Sequence, residues 1–136
     1  MAFRPAEGGC LCGAVRYRID AEPKLADICH CSMCRKSAGA PFIAWIAVPH
    51  TGFHWTKGEP AAYRSSKDAT RYFCGRCGSQ LMMRGGSNAE LDGVLIGSLD
   101  EPARFVPTAE GWASVKLPWV KLGLPLESHP KDNPAF

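Results

Sequence analysis

The chain lacks any apolar run near the roughly 20 residues that a membrane-spanning helix needs, and its opening Met1-Ala2-Phe3-Arg4-Pro5 leads into Ala6-Glu7-Gly8-Gly9 without a hydrophobic signal core. A cytoplasmic protein that does not enter membranes is therefore expected. It also lacks a strong charge of one sign. Sixteen Lys+Arg against thirteen Asp+Glu leave a formal +3, spread evenly, which argues against nucleic acid as a partner and leaves anionic small molecules open. No internal repeat and no low-complexity tract is present. Long amphipathic helical patterns are absent too, because 14 glycines and 11 prolines interrupt the short apolar runs of a 136-residue chain. That length suits a single domain, 1–136, and the expected fold class is mainly β.

The strand signals follow from periodicity. Ala14-Val15-Arg16-Tyr17-Arg18-Ile19-Asp20 alternates apolar and charged residues, as a half-buried strand does, and Pro23 follows it. Pro41-Phe42-Ile43-Ala44-Trp45-Ile46-Ala47-Val48-Pro49 is nearly all apolar and predicts a central strand buried on both faces. Phe53-His54-Trp55 alternates again before a turn at Lys57-Gly58-Glu59-Pro60, and Ala62–Ser65 with Thr70–Phe73 reads as a strand pair. Leu91–Leu99 is a further strand candidate, closed by Asp100-Glu101-Pro102. Only Ser32 to Ala38 has the length and polarity for a short helical turn. The proline-rich stretch from Trp112 onward predicts an extended arm laid on the domain with Trp119 as its apolar anchor, fraying over the last few residues.

What the chain does have is cysteine in tight groups: Cys10-Leu11-Cys12, Cys29-His30-Cys31-Ser32-Met33-Cys34 and Cys74-Gly75-Arg76-Cys77. Cysteines this close direct both sulfurs at one ion, whereas a disulfide across one intervening residue strains the backbone. Seven is an odd count that cannot pair off, and reduced thiols suit a cytoplasmic setting. Four thiolates close a structural zinc site. Three leave a coordination position open for water or substrate, which is the arrangement of a catalytic zinc. Cys74-Gly75-Arg76-Cys77-Gly78 reads as a zinc knuckle whose glycines let backbone amides face the sulfurs. Spacing alone permits its completion by Cys10 and Cys12 or by two of Cys29, Cys31 and Cys34.

Gly9-Cys10-Leu11-Cys12-Gly13-Ala14-Val15-Arg16-Tyr17, Cys29-His30-Cys31-Ser32-Met33-Cys34-Arg35-Lys36 with Gly39-Ala40, and Phe73-Cys74-Gly75-Arg76-Cys77-Gly78-Ser79 occur together and in order. This set resembles the glutathione-dependent formaldehyde-activating enzyme family, over about residues 8–122, with 123–136 left as an extended C-terminal tail. The resemblance implies an Mss4-like (β-tent) fold of small coiled antiparallel sheets around a structural zinc. It implies that Cys10, Cys12, Cys74 and Cys77 hold that zinc and that Cys29, Cys31 and Cys34 hold a second, catalytic one. It implies, further, a carbon-sulfur lyase that forms or cleaves a thiol-aldehyde adduct such as S-hydroxymethylglutathione, with glutathione or a similar thiol and an aldehyde as partners. Two other readings stay open: a zinc-stabilised binding module, and a redox switch at Cys29, Cys31 and Cys34.

Other residues have both a functional and a plainer role open to them. Arg35 and Lys36 are candidates to bind the carboxylates of an anionic thiol, or else belong to a solvated helical turn. His30 lies between two candidate ligands, but alternation points it away from the sulfurs in an extended segment. His50, His54 and His129 have no ligand spacing to any cysteine and are expected at the surface. Phe42, Trp45 and Trp55 fit a core better than a cleft wall. Ser37 and Ser79 adjoin the clusters, where their hydroxyls are placed to hydrogen-bond a thiolate.

Overall fold

The computed structural model describes residues 2–86 and 88–136. Eleven strands form two sheets. β1 (Ala6–Gly9), β2 (Arg16–Ile19) and β5 (Phe53–Lys57) make a small antiparallel sheet in the order β1-β2-β5. The other sheet runs β11-β10-β3-β4-β9-β8-β7-β6, built from β3 (Leu25–Cys29), β4 (Ile43–Pro49), β6 (Ala61–Arg64), β7 (Ala69–Phe73), β8 (Gln80–Gly85), β9 (Leu91–Leu95), β10 (Ala109–Gly111) and β11 (Glu127–Ser128). Among the described residues the one α-helix, α1, spans Ser32–Ala38, the segment its sequence predicted. Among the described residues no helix is long and apolar enough to cross a membrane.

The apolar run of β4 explains the layering. Ile46 and Val48 pack with Tyr17, Ile19 and Phe53 of the small sheet and with Leu81, Met82 and Val94 of the large one, forming the main core. Ile43 and Trp45 have the other parity and pack on the opposite face against Cys34, Met83, Leu95 and Phe136. A strand with both faces covered needs apolar residues at every position, which is why β4 does not alternate. It lies between β3 and β9, in the interior of the sheet.

The antiparallel expectation holds except at one edge, where β10 pairs parallel with both β3 and β11. Parallel neighbours need a long connection, and here the intervening chain travels through the whole domain before β10 returns beside β3. The candidate strand Leu91–Leu99 stops at Leu95, and Ile96–Ser98 turns as a 3-10 helix.

The tail corrects two expectations. Trp119 is 68% exposed and anchors nothing. Nor does the end of the chain fray: Asn133 is buried against Asp27, and the Phe136 ring lies 5.9 Å from the Trp45 ring. The anchor is the aromatic ring that finds a cavity wall, and proline content alone does not show which one that is.

Candidate metal centres and the cavity beside them

Cys10 leaves the end of β1 and Cys74 the end of β7, so one cysteine pair comes from each sheet. Each pair sits in a tight turn with a left-handed glycine just beyond it, Gly13 (φ 78°) and Gly78 (φ 80°), closed by Gly13 N–H to the Cys10 carbonyl (3.2 Å) and Gly78 N–H to the Cys74 carbonyl (2.8 Å). The four ligand sulfurs of Cys10, Cys12, Cys74 and Cys77 lie within 4.8 Å of one another, so this group could hold a metal ion. The Cys10 to Cys12 and Cys12 to Cys74 sulfur separations are 3.6 and 3.8 Å. Tetrahedral zinc with Zn–S near 2.3 Å would hold sulfurs about 3.8 Å apart, so the donor set fits that ion. Backbone amides aim at the same sulfurs, Val15 at Cys10 (3.2 Å) and both Arg76 and Cys77 at Cys74 (3.4 Å each). Ser79 adds a contact to Cys77 Sγ at 3.2 Å, and its hydroxyl also accepts from Leu11 N–H. Its side chain and backbone hold the Cys77 thiol down to about 5. Donors pointed at sulfur favour thiolate, the form a metal binds.

Cys29, Cys31 and Cys34 form the second group, also within 4.8 Å. Cys29 ends β3. Cys31 is the N-cap of α1, its sulfur accepting from Cys34 N–H at 3.3 Å, and Gly39 (φ 63°) closes the other helix end by donating to Arg35 O. A seven-residue helix started by one ligand thus carries the next ligand one turn on. The Cys31–Cys34 and Cys34–Cys29 sulfur separations are 3.0 and 3.3 Å. Their contacts drive ionisation apart: Cys31, bonded by Cys29 and then Cys34, falls far below the thiol range, while Cys29 is pushed up. Three adjoining thiols ionise together only with a cation among them, and the three-sulfur donor set fits a zinc with one open position.

Of the two completions that spacing left open, the structure brings Cys10 and Cys12, and not the middle cluster, to Cys74 and Cys77. It also supplies partners the sequence reading missed. Arg71, on β7, is buried with its guanidinium 3.7 Å from Cys34 Sγ, donating to Ser37 Oγ (3.1 Å) and lying over the Trp45 ring. The available signal was an Arg at an inward-facing strand position, two residues from buried Ala69. His30 is fully buried and turns away from the sulfurs to meet Glu110 Oε1 at 2.9 Å. Burial lowers its pKa despite that carboxylate.

A cavity of about 490 Å³ opens onto the three-cysteine cluster. Cys29, Cys31 and Cys34 line it along with Arg35, Arg71 and Trp45, so Trp45 is both core and cavity wall. Arg35 also donates to the His30 carbonyl (3.2 Å), and Lys36 is not among the lining residues. Phe42 lines a different hollow near Cys10 and Ser79, and Trp55 packs with Tyr17 and Phe53 in the main core. His50 and His54 are half exposed beside Asp92 and Asp20, and His129 meets Glu127. None of the three approaches a cysteine.

The sequence model of the glutathione-dependent formaldehyde-activating enzyme family matches residues 5–115. The chain belongs to this family. It is 40% identical over 78 residues to an uncharacterized lyase of Schizosaccharomyces pombe, covering 55% of this chain and 54% of that protein. Against a putative glutathione-dependent formaldehyde-activating enzyme of Halomonas elongata it is 35% identical over 83 residues, covering 55% of this chain and 53% of that one. The chain thus spans about half the length of the curated relatives it matches. A crystal structure of a Rhodobacter sphaeroides protein superposes with a TM-score of 0.61 at 25% identity, covering 69% of this chain and 87% of the other. Family and fold agree with the mainly β, two-cluster architecture.

Proposed function

We propose that the protein is a zinc-dependent carbon-sulfur lyase that forms and cleaves a thiol-aldehyde adduct of the S-hydroxymethylglutathione kind. One observation carries this reading: the three sulfurs of Cys29, Cys31 and Cys34 converge on the wall of a cavity, while the four of Cys10, Cys12, Cys74 and Cys77 sit where the two sheets meet. Zinc held by the three-cysteine cluster would supply a Lewis acid that lowers the pKa of a substrate thiol. In the addition direction the thiol sulfur bonds to the aldehyde carbon, the carbonyl π bond opens and the thiol proton ends on oxygen. Cleavage reverses each change.

The chain's own residues prepare that chemistry. Cys31, capping α1, and Cys29, ending β3, are fixed by backbone elements, so their sulfurs keep their spacing without side-chain rearrangement. Arg71 places a guanidinium against Cys34 and damps the negative charge that three thiolates concentrate. Trp45, Met83 and Phe136 narrow the cavity and exclude water from one side of the cluster. Arg35, a cation on the cavity wall, is suited to a thiol substrate's carboxylate.

Metal analysis and exchange NMR test the proposal. Purified without chelator, the protein should hold two zincs and speed exchange between glutathione, formaldehyde and their adduct. Cys31→Ser should keep its fold and one zinc while losing that acceleration. A protein with a single zinc whose Cys31→Ser variant exchanges as fast as the parent would exclude the lyase.

A further inference from the structure

The match to the family model ends at residue 115, yet the cavity is not complete there. Asp132, Asn133 and Phe136 line it from the tail. Asp27, on β3, lines it too, and alternation puts Asp27 on the same strand face as Cys29, about 6.6 Å along the chain. Asp27 is 4% exposed. Its Oδ2 accepts from Asn133 Nδ2 at 2.9 Å, and its Oδ1 has no hydrogen-bond partner. Asn133 is itself fixed, because its Oδ1 accepts from Ala135 N–H (3.0 Å) and its carbonyl from Phe136 N–H (3.1 Å).

A buried carboxylate oxygen left without a donor is costly unless something brings one. On a cavity wall the partner that can arrive and leave is a ligand. An S-hydroxymethyl group has one donor, its hydroxyl, two bonds from the sulfur that the proposed function places at the cysteine cluster. Trp112 supports the same wall under strain: it is the one non-glycine described residue with a left-handed backbone (φ 54°), held by Lys131 O on its amide and by Asp132 on its indole N–H.

Resting on that lyase reading, we propose that Asp27, oriented by Asn133 from the tail, is a specificity-determining residue whose free Oδ1 accepts a hydrogen bond from the hydroxyl of the thiol-aldehyde adduct. The residues that hold the sulfur belong to the family-matched part of the chain. Half of the device that reads the adduct's oxygen does not.

The test compares S-hydroxymethylglutathione, made from glutathione and formaldehyde, with S-methylglutathione, which lacks only the hydroxyl. Dissociation constants by ligand-observed NMR on the zinc-loaded full chain should favour the hydroxyl-bearing ligand about tenfold. Asp27→Ala should abolish that preference, and Asn133→Ala should cut it to about two- to threefold, with S-methylglutathione binding unchanged in both. A merely structural role would weaken both ligands alike. Equal binding of the two by the parent protein, failure to bind either, or a preference that persists in both variants overturns the assignment. Exchange NMR on the same samples separates the two ideas: turnover without hydroxyl preference sinks Asp27's role alone, and hydroxyl preference without turnover sinks the lyase alone.

Discussion

Glu110 takes His30 at 2.9 Å and Lys116 at 2.8 Å on the same oxygen, behind the backbone that carries Cys29 and Cys31. Burial pushes its carboxyl up, but the Lys116 ammonium and then His30 outweigh that and hold it below its ordinary value. A depressed carboxylate contributes stability above its unfolded pKa and loses it as pH falls through the folded one. Lys116→Met should therefore destabilise the protein at pH 7 by about 1 kcal/mol, discounted because Lys116 is one-third exposed. The gap to the parent in urea midpoints should narrow only as the pH falls below the ordinary glutamate range, where the depressed Glu110 carboxyl of the parent finally takes up its proton. Arg71 belongs to the same scale. Its guanidinium is the charged side chain on Cys34, so Arg71→Met should weaken zinc at the three-cysteine cluster about tenfold, read by competition with a chromophoric chelator, and leave the four-cysteine site unchanged.

At the scale of elements, β5 and β6 are joined by a turn that brings Gly58 (φ 67°) against the first cysteine loop, where a Cβ would lie 2.1 Å from Ala14 O. Gly58→Ala should cost about 2 kcal/mol or more and lower the thermal midpoint by several degrees in scanning calorimetry. This turn was legible from Lys57-Gly58-Glu59-Pro60, as were α1, the β6–β7 pair and β4. Each rests on local chemistry: a turn-forming glycine, a polar helical turn, alternation, an unbroken apolar run. β3 and β8 were not legible. In β3 the buried Asp27 breaks the apolar pattern, and in β8 Leu81 and Met82 are buried side by side, so neither strand shows a period of two. The tail was mistaken because proline content does not show whether Trp119 or Phe136 is the ring that meets a partner. Ending the chain after Pro130 should free Trp45, now 3% exposed, and acrylamide should quench its fluorescence more strongly as the thermal midpoint falls.

At the scale of the molecule, the four-cysteine site joins the end of β1 in one sheet to the end of β7 in the other, over the core of Tyr17, Ile46, Leu81 and Met82. Metal held there would contribute to folding directly, whereas the three-cysteine cluster lies at the other face of β4 beside open space. Graded chelation should consequently proceed in two steps. Loss of the first zinc should abolish adduct exchange with the far-ultraviolet circular dichroism intact, and loss of the second should coincide with unfolding.

The cysteine clusters, their sulfur chemistry, the mainly β character and the family resemblance are all legible in the sequence, because cysteine spacing and strand periodicity are written within a few residues. Which clusters come together follows from tertiary packing alone, since Cys12 and Cys74 meet where two sheets pack and no local rule reaches across that separation. The same holds for the cavity. Asp27 and Asn133 stand 106 positions apart, and only the parallel return of β10 and β11 beside β3 lays the tail against the cysteine cluster.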